Sequence, residues 1–211
     1  MHVYLDNQRL DARHAHTVIA AVAAAREVAE VSGRIIIELT VDGQSWADDT
    51  LHTSPAAQEP AGEVRILSAE PKALVSNALR DLAEVVDQVR ELQCSAALAL
   101  AQGNVTDALD ELGEAIAGWD MICRGVTDGL ALMSIDAEGS SISTAAGERP
   151  LGVCVGELKH HLVELRNGVQ TQDWSSLADI LEGEMSEQAD RWHGILSQLA
   201  QHVSAYLRPT S

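Results

Sequence analysis

Two histidine–carboxylate pairs in the last third of the chain have the spacing for metal chemistry. Glu157-Leu158-Lys159-His160 is a Glu-x-x-His, and Asp190-Arg191-Trp192-His193 repeats its spacing with aspartate in place of glutamate. Residues three apart on a helix lie on one side. Two such motifs, with a glutamate from each of two further helices, are therefore the ligand set of a carboxylate-bridged dinuclear metal centre. Glu84, Glu91, Glu111 and Glu114 are available as those glutamates. However, Glu157, His160 and His193 flank the apolar seams of their segments, and the chain is rich in acid. The leading reading is therefore of solvated helix-face residues, with Glu157–His161 and His160–Glu164 as local pairs four apart. It assigns no catalytic residue, metal or cofactor.

Glu184 is a second candidate. It adjoins the seam residue Met185, where a partly buried carboxylate contacts a partner or pairs with an arginine such as Arg166 or Arg191. Trp119, Trp174 and Trp192 follow helical stripes and read as core, whereas Trp46 lies outside any stripe and reads as a surface anchor for a partner. His14 and His16, in Asp11-Ala12-Arg13-His14-Ala15-His16, mark a polar helix entrance rather than a metal site. Cys94, Cys123 and Cys154 are odd in number, contain no CxxC and fall in helical segments, so they read as small core residues. No nucleophile elbow and no phosphate-binding glycine loop occurs.

These residues need a scaffold, and the composition supplies one. The 211 residues are 46% hydrophobic, enough for a core of one domain or two small ones. No apolar run approaches the ~20 residues of a membrane span. The opening MHVYLDNQRL lacks the basic flank and apolar segment of a secretory signal, so a cytoplasmic location is expected. The net charge of −18 comprises −6 over residues 1–70 (5 basic, 11 acidic) and −12 over 71–211 (9 basic, 21 acidic). Such a field repels phosphate backbones and anionic membranes, which argues against both as partners. A basic protein partner is compatible with it.

Residues 1–70 alternate strand and helix signals. His2–Leu5 reads as a strand, Asp6-Asn7-Gln8 as a tight turn and Arg9-Leu10 as the stub of a second strand. A helix is expected over 15–32, with Val18, Ile19, Val22, Ala25, Val28 and Ala29 inward and Gly33 closing it. A central strand over 34–41 runs into the Asp42-Gly43 turn, a loop over 46–62 follows, and a last strand covers 63–68. Residues 71–211 read as four helices. The first starts at Pro71 with Ser68 as a possible cap, and its inner stripe is Leu74, Ala78, Leu82, Val85, Val89, Leu92, Ala96 and Ala99. The second runs over 105–133, and the third begins near Pro150 after a loop over 134–149. The last is one long helix from Asp173, its N-cap, to Leu207, with Leu177, Leu181, Met185, Trp192, Ile195, Leu199, Val203 and Tyr206 inward. The expected fold is α+β: a small N-terminal domain, 1–70, then an antiparallel four-helix bundle, 71–211.

The order strand, turn, helix, strand into Asp42-Gly43, loop, strand resembles a ubiquitin-like β-grasp, without a diglycine end. That resemblance implies a docking module working through a sheet face or edge. With the stretch Asp173-Trp174-Ser175-Ser176-Leu177-Ala178-Asp179-Ile180-Leu181-Glu182-Gly183-Glu184, the whole arrangement resembles a set of uncharacterised bacterial proteins, and the helical half is similar in character to flagellar and secretion export chaperones. The expectation is a non-enzymatic, adaptor- or chaperone-like protein that binds a basic or helical protein partner, with self-association as a further possibility. A ferritin-like dimetal oxidoreductase in the bundle is the alternative.

Overall fold

The computed structural model describes residues 1–12, 14–135, 141–144 and 147–205. The chain divides into two compact units, Met1–Leu74 and Val75–Ser211, each with its own apolar core.

In the first unit, strands β1 (His2–Leu5) and β2 (Gln8–Arg9) form a hairpin across Asp6 and Asn7. Both turn residues have positive φ, 49° and 64°, the primed geometry that matches strand twist and that Asn and Asp tolerate. Helix α1 (Val18–Val31) starts at Thr17, whose Oγ1 accepts from the Ala20 N–H, and closes at Gly33 with φ 65°. Strands β3 (Ile35–Val41) and β4 (Gln44–Trp46) turn at Asp42-Gly43, and β5 (Glu63–Ala69) completes a five-stranded sheet of order β2-β1-β5-β3-β4. β5 is parallel to β1 and antiparallel to β3, the mixed layout of a β-grasp. Alternation sends Val3, Leu39, Val41, Val64 and Ile66 into one core with Val18, Ala21, Val22 and Ala25 of α1.

The 46–62 stretch is more structured than a loop. Helix α2 (Asp48–Thr53) and a 3-10 turn (Pro55–Gln58) fold over the core, burying Leu51 and Ala57. Ser68 is not a helix cap but part of β5. Its N–H and Oγ donate to the Asp6 carboxylate at 2.7 Å each, and its Oγ accepts from Arg34 Nε at 2.7 Å. These bonds hold the Asp6 carboxyl below the usual carboxylate range, the Ser68 hydroxyl acting most strongly.

The second unit is a helical bundle built from α3 (Pro71–Ala101), α4 (Val105–Leu132), α5 (Leu151–Thr171), α6 (Trp174–Glu182) and α7 (Glu184–Ala205). Named contacts fix the neighbours. An added Cβ at Gly118, Gly125 or Gly129 of α4 would meet Val89, Leu82 or Val75 of α3. Arg90 of α3 bonds Asp190 of α7, and Ser76 Oγ donates to the Ala200 carbonyl. Glu157 of α5 pairs with Arg191 of α7. Along α3–α4, α3–α7 and, with His161–Glu184, α5–α7, residue numbers rise on one helix as they fall on the other, so these helix pairs are antiparallel.

Several elements differ from the sequence expectation. The last helix is two helices, broken at Gly183, where ψ is −87°. Asp173 does cap α6, its carboxylate accepting from the Ser176 N–H at 3.2 Å. The expected seam residue Tyr206 lies outside the described residues. Within 134–149, β6 (Ser141–Thr144) pairs with β7 (Gly147–Pro150) as an antiparallel hairpin, so that stretch is not all loop; residues 136–140 and 145–146 lie outside the described residues. The α3 seam keeps Leu82, Val89 and Ala96 of the expected stripe buried but is otherwise shifted by about one residue. Val75, Leu79, Val86 and Gln93 point inward, while Leu74 and Ala78 are exposed. Trp119 and Trp192 meet edge to face in the core, ring centroids 6.5 Å apart.

Candidate functional site

The structure does not bring Glu157, His160, Asp190 and His193 together. Glu157 is enclosed by two guanidinium groups: both nitrogens of Arg149 donate to its carboxylate, and Arg191 Nη1 donates to Oε2 at 2.7 Å. The Arg149 hydrogen bond, assisted by the charges of Arg149, Arg191 and His161 and opposed by partial burial, holds this carboxyl below its ordinary range. A carboxylate neutralised by two guanidinium groups has little attraction left for a metal cation. Asp190 turns to Arg90 at 2.9 Å, and His193 Nε2 lies 3.7 Å from Asp87 on α3. His160 is exposed and reaches Glu164 at 3.5 Å, the pair four apart expected from the sequence.

A different cluster forms beside them. His161 Nδ1 lies 3.1 Å from Glu164 Oε2 and 3.6 Å from Glu184 Oε2. One donor atom from each of the three residues falls within 4.8 Å of the others, the only such group of three among the described residues. α5 supplies His161 and Glu164 through their three-residue spacing, and the Gly183 break sets Glu184 at the start of α7. Glu184 thus pairs with a histidine rather than with Arg166 or Arg191.

The other candidates stand apart. His14 and His16 are exposed, beyond the Thr17 cap. Trp46 is half-buried against the core of the first unit. Cys154 is buried and Cys123 partly so, and burial pushes both thiols up, away from reactive thiolate. Cys94 is exposed, contrary to the expectation of a core residue, because the inward position of that α3 turn belongs to Gln93.

An apolar cleft runs along the outer side of the α3–α4 pair, with a volume of about 540 Å³. Ala78, Leu82, Val85, Ala117 and Met121 line it, and Asp81 and Arg124 stand at its rim. Met121 is 56% exposed. α4 carries six acidic residues and one basic residue. Comparison with family models, curated proteins and solved structures finds no match to this chain.

The cleft was missed in the sequence because Met121 and Ala117 fall on no core stripe. The signal that was present is Gly118, Gly125 and Gly129, spaced seven and four apart, which lets α4 approach α3 closely. The cleft opens beside that seam.

Proposed function

We propose that this chain is a non-enzymatic docking protein whose α3–α4 cleft receives an amphipathic, basic helix of a partner protein. The observation that carries this reading is an exposed apolar cleft walled on one side by the strongly acidic α4. Apolar side chains left in solvent at a concave site favour burial against another apolar surface. The surrounding carboxylates select a partner of opposite charge and speed its approach. A second copy of the same chain is a poorer occupant, since it brings its own charge of −18. In the first unit the solvent face of the sheet, where the Arg65 guanidinium lies 4.9 Å from the centre of the Tyr4 ring, serves as a second docking surface. Trp46 is not part of that surface: it pairs with Leu39 of β3 and so lies on the core face of the sheet.

The test is site-specific photo-cross-linking in the host cell, with the photoreactive residue at position 121 and, as a control, at Val163, an exposed apolar position of α5. The expected result is a discrete adduct from position 121 whose cross-linked segment is amphipathic and basic, lost on Ala117→Glu. Adducts from position 121 no different from those at position 163 would contradict the reading.

A further inference from the structure

We propose that His161, Glu164 and Glu184 form a zinc-class divalent-cation site joining α5 to the start of α7. This site is independent of the α3–α4 cleft, and its three ligands are none of the four residues that the sequence offered for a dinuclear centre. Three observations carry it.

The first is distance. Nitrogen and oxygen ligands about 2.0–2.2 Å from zinc in a tetrahedron lie about 3.3–3.6 Å apart. The two separations from His161 Nδ1 are 3.1 and 3.6 Å, and all three donor atoms lie within 4.8 Å of one another. Small side-chain rotations bring them to one ion, with water completing the fourth position.

The second is charge. Glu157, one turn before His161, is neutralised by Arg149 and Arg191. Among the described residues, Glu164 pairs only with His160 and His161, and Glu184 only with His161. Two carboxylates thus converge on imidazole alone, which leaves the cluster negative and favours a cation.

The third is ligand type. An imidazole nitrogen among the donors selects zinc, cobalt or nickel over calcium or magnesium, which take all-oxygen shells. His160 Nε2, 3.5 Å from the other oxygen of Glu164, adds a second imidazole at the margin of the site. Coordination through His161 Nδ1 leaves its proton on Nε2.

The ligands come from α5 and from the first residue of α7, just past the Gly183 break, so a bound ion fixes the angle at which α7 starts. The experiment is a titration of the untagged, chelator-treated full chain with Zn2+ by calorimetry, together with thermal unfolding and the visible spectrum of a Co2+ adduct. A Cys94→Ser background removes the exposed thiol. The account predicts saturable binding of one equivalent, a rise in Tm with Zn2+ but not Mg2+, and d–d bands of a nitrogen–oxygen site. His161→Ala and Glu184→Gln should each weaken binding more than about tenfold, the loss that even outer partners of a ligand produce. Glu157→Gln, whose carboxylate faces arginines, should bind normally. Absence of saturable binding, or affinity and Tm shift unchanged in both His161→Ala and Glu184→Gln, would overturn the proposal.

Discussion

At the scale of single residues, Glu157 shows how one carboxylate stabilises a fold without serving chemistry. It ties β7, through Arg149, and α7, through Arg191, to α5. Charged hydrogen bonds contribute about 1.5–3 kcal/mol each when well shielded. With about a third of each side chain in solvent, screening reduces that, and Glu157→Gln should cost about 1–2 kcal/mol at neutral pH. Its folded-state carboxyl titrates below the ordinary value of 4.5, so the unfolded chain binds the proton first as pH falls. The stabilisation is complete above the unfolded value and is lost as pH drops through the folded one. Urea midpoints of wild type and Glu157→Gln, measured from pH 7 down to 3, should converge at the acid end; a constant difference would contradict this. Gln93 and Gln188 show the opposite case. Both are buried, and their side-chain amides have atoms without a partner among the described residues. The Arg90–Asp190 bond places them at the same level of antiparallel α3 and α7. Replacing both by Leu removes unpaired buried polar groups, each costing about 1–3 kcal/mol, and should raise Tm. A fall in Tm would mean that the amides are satisfied in solution.

At the scale of elements, the glycines of α4 differ in kind although the sequence shows them alike. A Cβ at Gly113 meets nothing within 4 Å, whereas one at Gly118 falls 2.3 Å from Val89 Cγ2. Gly113→Ala should stabilise by up to about 1 kcal/mol through helix propensity. Gly118→Ala forces two helices apart and should be about 1–3 kcal/mol less stable than Gly113→Ala, as paired denaturation curves will show. Strand and helix periods, the Asp42-Gly43 turn and the Gly33 helix end were legible, because each is a local signal. The break at Gly183 was not, since the apolar period of 174–203 runs through it and a single glycine inside a helix usually remains helical. The α3 seam was legible only in part, at Leu82, Val89 and Ala96: Ala, Val and Leu occupy so many positions that two stripes a residue apart look equally apolar, and the buried Gln93 hid the other one. Glu184 was legible as a carboxylate beside the seam, and His161 as the partner of Glu157, which pairs with arginines instead; the meeting of His161 with Glu184 depends on the bend between α6 and α7.

At the scale of the whole molecule, both units are acidic, and among the described residues no helix is long and apolar enough to cross a membrane. The α3–α4 cleft exposes Met121 on the acidic α4, so docking there should combine apolar burial with charge attraction and weaken as salt rises. Fluorescence anisotropy of a labelled amphipathic leucine–lysine helix, titrated with the full chain, tests this most directly. The account predicts saturable binding that weakens with ionic strength, falls more than about tenfold on Met121→Glu, a loss of at least about 1.4 kcal/mol, and is unaffected by Val163→Glu. Equal affinity for wild type and Met121→Glu, or equal binding of a leucine–glutamate helix, would contradict it.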